Sequence, residues 1–260
     1  MTKPPQLQLK SGNSEKASPD RVRVDLVEGG LSDELYSPSN RNRGARFYLR
    51  HYWRDLVLLT IFILSLGIMQ LLNRPMGTVH SLEIPLDNEI PLLPWTAVVY
   101  NSWAPLIIIL SLLYFIRDRS LFRRYLITMI LGQLLADITF IFFQTTIPIP
   151  YEQVYSATDI FSRLLALTYR LDNNFCGFPS IHVILCTLTI FFIWKLTAAK
   201  TWLKISVTVY FAIVALTTVT TKQHVVLDIP GGILYGLVAI PLAAPLARMV
   251  ERKFFKGQFR

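Results

Sequence analysis

Apolar residues gather into six windows separated by short polar stretches, at about 55–73, 97–116, 125–143, 180–197, 203–221 and 229–248. Each approaches the roughly 20 apolar residues that carry a helix across a bilayer. Pro105 in the second is a tolerated kink, because neighbouring helices re-satisfy a freed backbone group. The pattern predicts an all-α polytopic membrane protein, a bundle of six transmembrane helices. The first 45 residues are polar, rich in Ser, Pro and charge, and show no apolar period. They read as a disordered basic tail (1–45), followed by a membrane domain (46–250) and a short basic tail (251–260). No internal repeat is evident.

Composition agrees with this division. Only 17% of the 260 residues are charged, against about 25% in soluble domains, and mean hydropathy is +0.42. The net charge of +9 would suggest nucleic acid as a partner if the basic residues formed a patch. They flank the apolar windows instead. Arg41, Arg43, Arg46, Arg50 and Arg54 precede the first window, and Arg117, Arg119, Arg123 and Arg124 join the second to the third. Lys195, Lys200 and Lys204 join the fourth to the fifth; Arg248, Arg252, Lys253, Lys256 and Arg260 follow the sixth. The alternate loops are poor in Lys and Arg, and the first carries Glu83, Asp87 and Glu89. The positive-inside rule then predicts both termini in the cytoplasm, with anionic headgroups rather than nucleic acid as the partner of the charge. No basic start and short apolar run with a cleavage site is present, so the first hydrophobic helix is expected to direct insertion itself. Cys176 and Cys186 are too few for a disulfide framework or a zinc site and read as packing residues.

Polar residues at the window edges carry the chemistry. FCGFPSIH (175–182) opens the fourth window, and KQHVVLDIPGG (222–232) lies between the fifth and sixth. The predicted topology brings both to the non-cytoplasmic face. His224 and Asp228 are four apart and share a face in a helical turn. A carboxylate on one imidazole nitrogen fixes the tautomer and leaves the other nitrogen as base or nucleophile. By itself the pair is more often a loop-stabilising hydrogen bond. Pro179 and Ser180 suit a helix start, with Ser180 as N-cap, and a helix N-terminus is a ready phosphate site. His182 would sit in its first turn. Lys222 and Arg170, with Arg163, are among the few basic residues expected on this face and can supply charge-assisted bonds to an anion. The competing reading for each is interfacial snorkelling.

These two motifs resemble the type 2 phosphatidic acid phosphatase and vanadium haloperoxidase superfamily. Its pattern is Lys-x6-Arg-Pro, Pro-Ser-Gly-His and Ser-Arg-x5-His-x3-Asp. Pro179, Ser180 and His182 match the second element, with Ile181 in place of glycine, and His224 and Asp228 match the third. FPSIH followed by KQHVVLDIPGG is similar to the inositol phosphorylceramide synthase-like branch. Two elements depart from the pattern. The stretch QTTIPIPYEQ (144–153) holds no basic residue, and Thr217-Thr218 stands where Ser-Arg is expected. The resemblance implies a lipid phosphatase or phosphotransferase that needs no metal or other cofactor. It implies His224 as nucleophile, Asp228 as its orienting partner and His182 as acid and base. Ser180, Lys222 and Arg170 are expected to hold the phosphoryl group. The alternatives are a transporter and a catalytically silent lipid-binding protein.

Asp137, near the middle of the third window, is expected to face the bundle interior and pair with Gln133, Thr139 or a neighbouring helix. Gly231 and Gly232 are expected to allow close packing at the start of the sixth helix. The first outer loop (84–103) mixes prolines and aromatic residues and reads as an interfacial belt or an entry lip. GFPSI is not a nucleophile elbow, so a serine-hydrolase reading lacks support.

Overall fold

The computed structural model describes residues 45–255, with side chains from Tyr52 onward. Residues 1–44 of the expected first tail and 256–260 of the expected second, with the flanking charges of Arg41, Arg43, Lys256 and Arg260, lie outside the described residues. In chain order the elements are α1 (Ala45–Leu72), β1 (Val79–Ser81), α2 (Pro85–Glu89), a 3₁₀ turn (Pro94–Thr96), α3 (Ala97–Asn101) and α4 (Trp103–Arg117). There follow α5 (Arg119–Phe142), β2 (Gln144–Thr146), α6 (Tyr151–Ser156), α7 (Ile160–Leu171), α8 (Ile181–Lys195), α9 (Thr201–Thr220) and α10 (Asp228–Phe254). The chain is mostly helical. One detail departs from an all-α reading: β1 and β2 pair in parallel, with His80 opposite Thr145.

Among the described residues, five stretches are long and apolar enough to cross a membrane: Tyr52–Leu72, Pro94–Arg117, Arg119–Phe142, Thr201–Thr220 and Asp228–Phe254. The fourth apolar window folds as α8, a helix of 15 residues. That is about 22 Å at 1.5 Å per residue, short of a hydrocarbon core of about 30 Å. Ser180 caps its start and the chain turns after Lys195. Polar residues stay helical where the apolar windows stop. Asp118 accepts the Leu121 N–H at 2.9 Å and starts α5 six residues before the predicted boundary. The last helix likewise runs to Phe254, past residue 250.

The core lies where α5 and α8 meet their neighbours. Tyr114, Tyr125, Leu126, Met129, Phe140, Ile184, Leu185, Leu188 and Phe211 are all buried there. At one end of the bundle, ion pairs tie the helices. Asp55 is held by Arg119 and, at 2.6 Å, by Arg123, while Arg124 pairs with Glu251 at 3.3 Å. At the opposite end buried amides do the tying. Asn73 donates to Asp172 Oδ1 at 2.7 Å and to Asn173 O at 2.9 Å, and accepts the Phe175 N–H at 2.8 Å. Gln144 donates to Leu72 O and Arg74 O. These bonds fix the loop before α8 against the ends of α1 and α5.

α7 falls in a stretch with no predicted element. Asp159 caps it, accepting from Phe161 N and Ser162 N at 3.0 Å. Ser162, Leu165, Thr168 and Tyr169 face the protein, whereas Ile160, Leu167 and Leu171 are exposed. This is an amphipathic helix, the kind that lies on a membrane surface.

Candidate active site

Four segments converge at the amide-tied end. α8 delivers His182 in its first turn. The loop after α9 delivers His224, and the first residue of α10 is Asp228. α3 delivers Tyr100, which the motifs did not mark. His224 Nδ1 lies 3.0 Å from Asp228 Oδ2, and that oxygen also accepts the Val225 N–H at 3.1 Å. His182 Nδ1 lies 3.3 Å from His224 Nε2, and Tyr100 Oη lies 2.9 Å from His182 Nε2. A carboxylate can only accept, so His224 carries its proton on Nδ1 and presents Nε2 as an acceptor. His182 then donates from Nδ1, and its Nε2 accepts from the tyrosine hydroxyl. The four side chains form one directed relay, Tyr100 to His182 to His224 to Asp228, all of it buried.

Close packing holds the relay in place. A Cβ on Gly231 would stand 2.3 Å from Phe178 Cε2, and one on Gly232 would stand 2.8 Å from Ser180 O. Only glycine lets the first turn of α10 approach α8 this closely. Ser180 N donates to Asp228 O at 3.4 Å across the contact. The Trp103 ring packs edge-on against His182 at 5.1 Å between centroids.

The residues expected to hold phosphate are distributed differently. Ser180 is fully buried and its Oγ accepts the Val183 N–H at 3.3 Å, so it caps α8 beside the relay. Lys222 shares with His224 a pocket of about 470 Å³, walled by Asp87, Ile90, Ile147, Pro148 and Gln153. Its ammonium donates to Asp87 O and Ile90 O, both at 2.7 Å. Asp87 in turn accepts the Val226 N–H at 2.7 Å, so the outer loop is clamped onto the 222–226 turn. Arg170 is exposed, with its guanidinium 5.6 Å from the Tyr155 ring centroid. With Arg163 it lines a separate pocket of about 370 Å³ that neither histidine lines. The basic-free stretch at 144–153 does wall the His224 pocket, through Ile147, Pro148 and Pro150. Thr217 and Thr218 bond their hydroxyls to Val214 O and Ala215 O.

Gln223 and Asp172, together with Asn173, line a crevice of about 10 Å³ with His182 and His224, room for about one water. Gln223 is buried, and its Nε2 has no hydrogen-bond partner among the described residues. Asp172 lies at the end of α7, and burial raises its carboxyl to about 6; the nearby His224 ring and the Asn73 bond work the other way. Both sit beside quoted motif residues, but nothing in their spacing marks them. Asp137 bonds Gln133 Nε2 at 2.9 Å, as expected of an interior carboxyl, while Thr139 turns to Tyr235. Cys176 and Cys186 are buried and free.

A family model described as the PAP2 superfamily matches residues 75–242, more than half of the chain. A comparison with curated proteins returns no match to this chain.

Proposed function

Because the chain belongs to the PAP2 superfamily, we propose that it is a membrane lipid phosphatase or phosphotransferase working through a phosphohistidine on His224. The observation that carries this reading is the directed relay ending in Asp228. It leaves His224 Nε2 with a lone pair and stabilises the charge that develops when that nitrogen attacks.

In the first step His224 Nε2 forms a bond to phosphorus, and the bond from phosphorus to the leaving oxygen breaks. His182, protonated on both nitrogens once the anionic phosphate is bound, gives one proton to that oxygen. In the second step water or another hydroxyl attacks the phosphohistidine, His182 takes the proton of the attacking oxygen, and the P–N bond breaks. The 3.3 Å contact between the imidazoles must open to admit the phosphoryl group. Gln223 Nε2 and the ammonium of Lys222, which line the cavities beside His224, are assigned to donate to its oxygens, where charge most needs stabilising. Ser180 supports this by holding the start of α8. Arg170, at the membrane surface, is assigned to headgroup contact.

Six spans, α8 among them, with both termini cytoplasmic and the site on the outer or lumenal face, is the topology that the flanking charges favour. Arg54, Arg117, Arg119, Arg123, Arg124, Lys195 and Arg252 gather at the ion-paired end, remote from the relay. The motif form supports the inositol phosphorylceramide synthase-like branch, in which a lipid hydroxyl replaces water as acceptor.

The test is phosphate release from a panel of lipid phosphates by detergent-purified protein, with and without EDTA, beside His224→Ala. Candidate hydroxyl acceptors are supplied in parallel and products are identified by mass. Turnover that survives chelation and vanishes in the variant is expected. Turnover retained by His224→Ala would remove the nucleophile from the scheme.

A further inference from the structure

A cleft of about 580 Å³ opens between α1 and α4, lined by Leu59, Phe62, Leu66, Trp103, Ile108 and Leu112 among others. We infer that this cleft seats one hydrocarbon chain of the lipid whose phosphate is presented to His182 and His224. The inference rests on the reading above that the substrate is a lipid phosphate, and it adds where the tail goes.

Three features favour a substrate chain over casual solvation by the bilayer. Both walls belong to helices apolar and long enough to span, so the occupant lies in the hydrocarbon region. Trp103 lines the cleft and its ring also packs edge-on against His182, so the cleft's upper end abuts the relay. The far end is closed by Phe115, Phe122 and Asp55, the last fixed by Arg119 and Arg123. From Trp103 to Phe115 the wall runs about 18 Å along α4 at 1.5 Å per residue. One leaflet contributes about half of a 30 Å hydrocarbon core, so the cleft is about as long as one extended lipid chain. A lipid in the site-side leaflet, seated there, would bring its headgroup to the Trp103 end.

Ile108 and Ile109 are adjacent and both exposed, at 69% and 59%, but only Ile108 lines the cleft. Tryptophan at Ile108 fills the cleft from its edge without entering the core, and Ile109→Trp is the matched control. On a ladder of alkyl phosphates of increasing length, Ile108→Trp is expected to raise KM about tenfold for the long members. The short ones, and Ile109→Trp throughout, should be unchanged. A phosphatidate carrying a photoactivatable group in mid-chain should label peptides from 59–66 and 107–112, whether or not it is turned over. Labelling of the cleft without turnover of any lipid phosphate would sink the proposed activity and keep the cleft. Turnover with labelling elsewhere, or equal effects of the two tryptophans, would keep the activity and overturn the cleft.

Discussion

Gly232→Ala is a small change whose consequence follows from distances. The added methyl would stand 2.7 Å from Val183 Cβ and 2.8 Å from Ser180 O. Carbon atoms settle at about 3.5–4.0 Å, so the first turn of α10 must retreat by roughly 0.7 Å. Neither obstacle can yield alone, since Ser180 O accepts the Ile184 N–H and Val183 is buried in α8. Overpacking of this kind costs about 1–3 kcal/mol. The larger effect is functional. Gly232 lies one turn from Asp228, and a 0.7 Å retreat passed along would stretch the 3.0 Å bond to His224 beyond useful length. A misplacement of about 1 Å can cost about 10²-fold, so turnover should fall about 30- to 100-fold. The assay is phosphate release in micelles beside a thermal unfolding curve. Gly67→Ala is the control, because nothing lies within 4 Å of its added methyl; alanine there should leave turnover intact. Wild-type turnover in Gly232→Ala would refute the argument that this contact positions the relay. An equal loss in Gly67→Ala would show that the contact is not its cause.

Asp228→Asn keeps the shape but lets His224 settle in the wrong tautomer; turnover should fall about 10³- to 10⁴-fold, as in other His–carboxylate pairs, with KM little changed. A loss under tenfold would contradict the relay. Asp172 tests the electrostatics of the crevice. Its folded carboxyl titrates near 6 against an unfolded value of 3.8, so the native state binds the extra proton and stability falls as pH rises from about 4 to about 6. Removing the charge with Asp172→Asn should therefore stabilise the protein at pH 7.5 by up to about 3 kcal/mol, and hardly at all below pH 4. Unfolding midpoints at the two pH values check this, and an equal gain at both would refute it.

Five of the six windows were legible as spans because a helix in hydrocarbon must be apolar along its length and satisfies its own backbone; the fourth folds as the shorter α8. Their ends were less so. Asp118 caps α5 from an extended backbone, and the first turns of the helix carry Arg119, Arg123 and Arg124, so an apolar window stops short of them. α7 escaped because half of it faces protein and half faces outward, which leaves no continuous apolar run. In the site, His224 and Asp228 were legible because four residues of separation is a local relation. Tyr100 and Trp103 were not, because their place beside His182 depends on how distant segments pack. The same holds for Asp172 and Gln223, whose neighbours carried the motif but whose own orientation is tertiary.

Lys222 both anchors the outer loop and puts a cation beside His224, and two variants separate these roles. Its backbone sits at φ 54°, a left-handed conformation that costs an L residue other than Gly or Asn about 1–2 kcal/mol. That conformation turns the side chain across the pocket to the carbonyls of Asp87 and Ile90. An ammonium has three donors, so two anchor the outer loop and one remains, with the full charge, beside His224. Lys222→Met removes both anchor and charge. Lys222→Gly does the same but also relieves the backbone, so it should unfold at a higher temperature than the methionine variant. If Lys222 is only an anchor, the affinity for a small phosphate mimic such as vanadate should follow stability and differ between the two. If it holds the phosphoryl group, both should bind vanadate about 10- to 100-fold more weakly, the worth of one charge-assisted hydrogen bond. Equal weakening at unequal stability is the expected result. Undiminished vanadate inhibition in either variant would leave Gln223 and the backbone to hold the phosphate without a cation.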